Sequence, residues 1–205
     1  MISIIIPAFN EEKLLPQLLS QFPPDLLRRM NAEVVISDGG SSDRTVEISA
    51  EYGAVVVRHP EDRRQTIAEG RNRGAEIAQG DIFVFINADV RISDAERFLA
   101  EARRMIGIAG IAGVTSVVHV FPEEETLADR LFHVWHNSYV RFLNLIGEGM
   151  GRGECQILSA QMFHQIGGYN PAMVAGEDYD LFRRVRKRGR IFMMKGVIVY
   201  EAPRR

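Results

Sequence analysis

Four short polar clusters in this chain carry residue types suited to charged ligands. Asn87-Ala88-Asp89 follows a purely apolar run, and Asp89 offers an acceptor-only carboxylate that a hard divalent cation can bind. Asn87, two residues earlier, projects to the same side where the backbone stays extended. Asp38-Gly39-Gly40-Ser41-Ser42-Asp43 ends another apolar run, and a Gly-rich turn before a helix can cradle phosphate. Both standard nucleotide fingerprints, GxGxxG and GxxxxGK followed by Ser or Thr, are missing. Pro7-Ala8-Phe9-Asn10-Glu11-Glu12 closes the first run, and Gly176-Glu177-Asp178-Tyr179-Asp180 opens a helix. Helical spacing puts Asp178 on a stripe with Leu181, Phe182 and Val185, hence inward, and leaves Glu177 off it. An acid placed only to meet the helix dipole has no need to face the core. Arg71 falls on an inward stripe with Ile67, Gly74 and Ala78, so its guanidinium needs either a carboxylate or a bound phosphate. Taken singly, each cluster is equally an ordinary polar turn.

Periodicity identifies the elements that must hold these clusters. Residues 2–6, 34–37, 54–58 and 82–86 are mostly apolar runs of strand length and read as strands, 2–6 as a buried one and 82–86 as one buried on both faces. Between them lie three helices. The first carries Leu14, Leu15, Leu18 and Leu19 on one face, is N-capped by Asn10 and runs until Pro23-Pro24. The second starts near Arg44, capped by Ser42 or Asp43, and the third spans 63–79. The alternation predicts an α/β fold with a doubly wound, mostly parallel central sheet flanked by helices, Rossmann-like in its N-terminal half. Its strand ends would bring Pro7, Ala8, Phe9, Asp38, Asn87, Ala88 and Asp89 to one edge, where open sheets bind ligands. Beyond residue 90 the pattern predicts a helix over 94–105, a strand over 113–121, a long helix over 126–146, a strand over 154–158, a helix from the Glu177 cluster to about 188, and a strand over 191–200. Leu127, Leu131, Trp135, Phe142 and Ile146 form a broad apolar face on the long helix, widened by Phe132 and Tyr139. Such a face is expected to be core; the alternative is a hydrophobic acceptor or a membrane surface. Four glycines between 147 and 153 predict a mobile loop.

Composition narrows the classes. A formal net charge of −2 gives no electrostatic case for nucleic acid. The single cysteine, Cys155, excludes an internal disulfide and a Cys-based zinc cluster. Met1 leads straight into a strand, so no signal peptide is expected, and no run of 18 apolar residues could span a membrane.

In order along the chain, SIIIPAFNEE, ISDGGSSDRT, GRNRGAEIAQGDIFVFINADV and GGYNPAMVAGEDYDLFRRVRKRGRI resemble the motifs of family 2 glycosyltransferases with a GT-A fold. The resemblance covers nearly the whole chain, which it implies is one GT-A-like domain: residues 1–90 bind a nucleotide-sugar and 91–205 bind an acceptor. It implies transfer of a sugar from a nucleotide-diphosphate-sugar to an acceptor hydroxyl with inversion. Pro7, Ala8, Phe9 and Glu11 would wall in the nucleotide, Asp38 would accept from the base, and Asn87 and Ala88 would meet the ribose. Asp89 would hold Mg²⁺ or Mn²⁺, Arg71 would reach the diphosphate, and Asp178 would be the general base. The family usually has Asp where Asn87 stands, which removes one charge from the metal's surroundings. The Gln-x-x-Arg-Trp motif of processive members is missing; Arg204-Arg205 is only a faint echo of a basic end, so a non-processive enzyme is expected. The implied partners are the donor and a lipid-linked or polysaccharide hydroxyl, with no nucleic acid. The implied location is cytoplasmic, at the inner membrane face if the 126–146 helix or a further tail attaches there. Two rival readings are a catalytically idle nucleotide-sugar-binding subunit and a nucleotidyltransferase. The latter would need a basic Gly-rich loop after the first strand, and Pro7–Glu12 holds no Gly, Lys or Arg.

Overall fold

The computed structural model describes residues 1–61 and 63–203; Arg204-Arg205 lies outside them. Four parallel strands, β1 (Ile2–Ala8), β2 (Ala32–Asp38), β3 (Val55–Arg58) and β4 (Ile82–Ile86), form one half of an eight-stranded sheet. The other half comprises β5 (Val90–Ile92), β6 (Ile111–Val120), β7 (Cys155–Ser159) and β8 (Arg190–Glu201), giving the order β3-β2-β1-β4-β7-β6-β8-β5. β7 runs antiparallel to both β4 and β6, whereas β6 and β8 are parallel. The sheet is thus mostly parallel, with β5, antiparallel to β8, reversed at the edge and β7 reversed at the centre. Ile86 pairs with Cys155 across that reversal, so the residues after β4 and those before β7 emerge at the same edge.

β4 is buried at every position, as its unbroken apolar run demands. Its alternate side chains serve two cores. Ile82, Val84 and Ile86 join a layer with Leu15, Leu18 and Phe98, while Phe83 and Phe85 join Ala68, Phe163 and Leu181 on the other face. The first layer contains α1 (Leu15–Leu19), α2 (Pro24–Arg29) and α5 (Ala95–Ile106); the second contains α4 (Ile67–Ile77), α7 (Ala160–Gln165) and α8 (Glu177–Arg186). α3 (Thr45–Glu51) links β2 to β3. Gly70 and Gly74 let α4 lie close on β1: a Cβ at Gly74 would sit 2.5 Å from Ile5 Cγ2. Thr66 and Glu69 start α4 with a capping box.

Several expectations need correction. Asn10 caps no helix; its backbone is left-handed (φ 56°), and its Oδ1 accepts from the Ser42 N–H at 2.9 Å. α1 starts only at Leu15, because Asn10, Glu11 and Glu12 spend their hydrogen bonds on Ser41, Thr45 and Asp43. Pro24 opens α2 instead of ending a helix, since proline at the first helical position loses no needed N–H. The glycines of 147–153 mark close packing: a Cβ at Gly149 or Gly151 would lie 2.5 Å from Arg186 Cβ or Phe182 Cδ1. The largest correction concerns α6 (Leu127–Ile146). Leu127, Leu131, Phe132, Trp135, Tyr139, Phe142 and Ile146 are 41–73% exposed. The helix is anchored instead by His133, Asn137 and Val140, with the Asn137 amide bonding both the N–H and the C=O of Val118. Among the described residues no helix is long and apolar enough to cross a membrane.

Candidate active site

Three adjoining hollows run along the sheet edge where β4 ends. The first, about 180 Å³, is lined by Pro7, Ala8, Phe9 and Glu11 from the β1 end, Arg64–Ile67, and Asn87, Ala88 and Asp89 after β4. The sequence-expected residues therefore converge here, apart from Asp38, Arg71 and Asp178. Asp38 is buried, and its carboxylate accepts from the Gly40 and Ser41 backbone N–H groups, so it shapes its own turn. Gln65 and Arg64 were not legible as site residues. Gln65 is buried and donates to Ser37 Oγ, while the Arg64 guanidinium lies 4.6 Å from the Phe9 ring centroid. Burial, and then the nearby Asp89 charge, push the Glu11 carboxyl up to about 7. Two carboxyl groups are thus held together in a partly dry cleft, an arrangement that a cation relieves.

The second hollow, about 520 Å³, shares Ile67 and Asn87 with the first and adds Arg71, Arg152, Glu154, Glu177, Asp178 and Glu201 among its walls. Arg71 is 1% exposed, and its partner is a carboxylate: Nη1 donates to Glu177 Oε1 at 3.3 Å. Its Nη2 donates to Asn87 Oδ1 at 3.0 Å and to the Gly153 carbonyl at 2.6 Å. This clamp corrects the α8 phasing. Glu177, expected off the inward stripe, is buried beside Leu181 and Val185, one and two turns on, and Asp178 is half-buried at the wall of the hollow. Gly176, left-handed at the N-cap, swings the first turn so that both acids reach the site. Gln156 secures that turn by donating to the Asp178 carbonyl, and Tyr169 in turn donates to Gln156. Burial and the Glu177 charge raise the Asp178 carboxyl above the usual carboxylate range, with Arg71 pulling the other way. A half-buried carboxylate with a raised pKa at a cleft wall is equipped to take a proton.

Opposite Asp178 lies a cluster that the sequence did not reveal. Arg152 Nε donates to Glu154 at 3.1 Å, Arg152 Nη2 sits 3.6 Å from Glu201, and His133 Nε2 is 3.3 Å from Glu201. Against burial, which alone would raise it, Arg152 holds the Glu154 carboxyl below its ordinary value, while burial and Arg152 depress His133 to about 4 and His136 below its ordinary value.

The family model for glycosyl transferase family 2 matches residues 3–149. The chain belongs to that family. Among its relatives, an uncharacterised glycosyltransferase of Haemophilus influenzae is 27% identical over 90% of this chain and 62% of that protein. The succinoglycan biosynthesis protein ExoA of Rhizobium meliloti is 26% identical over 98% of this chain and 63% of that protein. A 4,4'-diaponeurosporenoate glycosyltransferase of Staphylococcus haemolyticus is 38% identical over 45% of this chain and 25% of that protein. The chain thus spans between a quarter and just over three fifths of these relatives' lengths. Among solved structures, the mannosyltransferase PcManGT of Pyrobaculum calidifontis, in complex with GDP-Man and Mn²⁺, superposes with a TM-score of 0.77 at 19% identity, covering all of this chain and 57% of that one. S. aureus TarS in complex with UDP-GlcNAc gives 0.72 at 16% identity, covering all of this chain and 59% of that one. These likenesses establish the GT-A fold of this family 2 chain. The family match ends before β7, so Arg152, Glu154, Glu177 and Asp178 lie beyond it.

Proposed function

We propose that this family 2 chain transfers a sugar from a nucleotide-diphosphate-sugar to an acceptor hydroxyl, with inversion at the anomeric carbon. The supporting observation is the meeting of two hollows at Asn87, with Asp89 and Glu11 on one side and Asp178 on the other. The nucleotide lies along the strand ends, between Pro7, Ala8 and Phe9 and the Arg64–Thr66 turn, with Ala88 as floor. Asn87 meets the ribose through its Nδ2, since Arg71 occupies its Oδ1. Asp38 acts by holding the Gly40–Ser41 turn. Arg71, already paired, positions Asn87 and Glu177 and does not reach the diphosphate.

A divalent cation fits the first hollow, because it carries two carboxylates, Glu11 and Asp89, and after burial the Asp89 charge raises Glu11. Among the described residues no group of three or more His, Cys, Asp or Glu is placed to hold a metal by itself, which suits an ion completed by substrate phosphates. Asp89, with Glu11, would hold Mg²⁺ or Mn²⁺, which when bound stabilises charge on a leaving diphosphate. Asp178 takes the proton from the acceptor hydroxyl as that oxygen attacks. One base and one displacement invert the anomeric centre. Gly153 keeps the backbone low beside Asp178, since a Cβ there would lie 2.9 Å from its Oδ2.

The test is a thermal-shift series of nucleotide-sugars with and without Mn²⁺. Stabilisation by one nucleotide class, larger with Mn²⁺, is expected and names the donor base. Absence of any response would overturn the donor assignment.

A further inference from the structure

The third hollow, about 810 Å³, continues the second through His136, Gly176 and Tyr179. Trp135, Tyr139, Leu143, Met150 and Met173 dominate its lining, and the Trp135 and Tyr139 rings stack at 5.5 Å. The charged groups on this groove have partners within the chain: Arg183 lies 3.8 Å from Glu148, and Asp180 accepts from Arg184 at 2.6 Å. The groove is therefore an aromatic and thioether channel leading to the half-buried Asp178.

The second hollow has the opposite character and a definite sign. Its walls carry Arg71 and Arg152 against Asp129, Glu154, Glu177, Asp178 and Glu201. Even with protons on two of those five carboxyls, the two arginines are outnumbered. The two histidines add no positive charge at neutral pH, because burial and Arg152 keep both neutral. An anionic head entering here would meet like charge in a partly dry site, which is costly. A hydroxylated, uncharged head could instead bond the carboxylates as acceptors.

We propose that the acceptor is an amphiphile: an uncharged, hydroxyl-bearing head lies in the Asp178 chamber, and an apolar tail lies along the Trp135–Tyr139–Leu143–Met150 groove. The proposal rests on the glycosyl-transfer reading above, in which Asp178 meets the acceptor hydroxyl. It goes further by fixing the acceptor's charge and its apolar segment. Continuity of the groove with the chamber selects a ligand that occupies both, and the chamber's negative sign rejects a lipid phosphate.

Trp135 is the only tryptophan in the chain, so its fluorescence reports the groove without any donor. The experiment titrates the whole chain with n-alkyl β-glucosides of increasing length below their micelle concentrations, and with n-alkyl phosphates of the same lengths. Glucoside affinity should rise by about two- to fourfold per methylene while the tail lengthens in the groove. Phosphates should bind roughly tenfold more weakly or worse, with the gap narrowing in high salt. Tyr139→Glu, at a 41% exposed position that should not unfold the chain, is expected to weaken the glucosides about tenfold or more. Leu131→Asp, on α6 outside the three hollows, should leave affinity unchanged. Affinity independent of tail length, phosphates binding as tightly as glucosides, or equal losses in the two variants would each overturn the proposal; equal losses would mean adsorption to the outer face of α6. Failure of the donor thermal-shift series alongside length-dependent glucoside binding would sink the transfer reading while leaving the groove intact.

Discussion

Glu177 and Asp178 are adjacent on one helical turn, yet neutralising them should move stability in opposite directions. Removing one partner of a buried ion pair typically costs about 3–5 kcal/mol. Here the Arg71–Glu177 bond is long, at 3.3 Å, and Arg71 keeps its bonds to Asn87 and Gly153. The amide of Glu177→Gln can still accept from Nη1, so the loss should be about 2–3 kcal/mol, below that range. For a chain of this size that lowers Tm by roughly 4–12 °C. Asp178 has a raised pKa in the folded chain, from burial and then from Glu177. Folding therefore penalises its ionised form: stability falls as pH rises through the interval between the unfolded and folded pKa, and the penalty is complete above the folded value. Asp178→Asn removes that penalty and should raise Tm at pH 7, while its Oδ1 can keep the bond from the Tyr179 N–H. The same substitution removes the proposed base, so single-turnover transfer should fall by about 10²–10⁴-fold with donor affinity little changed. Glu177→Gln should also shift the acid limb of the pH–rate profile downward, because Asp178 loses a negative neighbour. Thermal and urea unfolding at pH 7, with a donor titration and single-turnover transfer, read all four effects. An unchanged Tm for Glu177→Gln would refute the buried-pair argument. A Tm fall for Asp178→Asn would refute the desolvation argument, and lost donor affinity at full rate would remove Asp178 as the base.

Asp89→Ala should abolish the Mn²⁺-dependent part of nucleotide binding and leave the metal-independent part; unchanged calorimetric titrations would take Asp89 out of the cation's site. Asn87→Asp should tighten divalent-cation binding, yet less than a free carboxylate would, because Arg71 Nη2 already faces that position at 3.0 Å; no gain by calorimetry would place Asn87 beyond the cation's field. The unfolded chain takes up a proton at His133 near pH 6.5 that the folded chain refuses until about 4, so stability should fall as pH drops across that window and level off below it. His133→Gln should flatten that slope in urea titrations between pH 7 and pH 4, and an unchanged slope would assign the loss to other groups.

The half of the site at the ends of β1 and β4 was legible because each strand there is a solid apolar run, so the polar residues that follow it fall at a known edge. That logic located Pro7–Glu11 and Asn87–Asp89. It stopped short at Asp38, whose side chain turns back onto Gly40 and Ser41, a choice that depends on the turn's own geometry. The half formed by α6, α8 and the approach to β7 was harder to read for three physical reasons. In α6 the apolar stripe suggested burial, whereas polar Asn137 and His133 mark the packed face; a polar pair at i, i+4 between larger hydrophobics was the available signal. In α8, one residue of phasing decides between Glu177 and Asp178, and the left-handed Gly176 together with the distant Arg71 sets it. The Arg152–Glu154–Glu201 cluster joins β7's approach to the end of β8, which no local pattern connects. Even so, Arg152, Glu154 and Gln156 at alternate positions through an otherwise apolar stretch hinted at one polar face.

The Arg71 clamp has a consequence for when the site comes into being. Its three partners lie 16, 82 and 106 residues further along the chain. During synthesis, β1, β2, β4 and α4 are all made before Gly153 and Glu177, and Arg71 must wait through a further 106 residues for its countercharge. A chain stopped short of residue 177 would carry the residues of the first hollow but neither Glu177 nor Asp178. On the proposed function, transfer needs the turn at 177–178, so its appearance in a timed translation would report closure of the seam between β4 and β7.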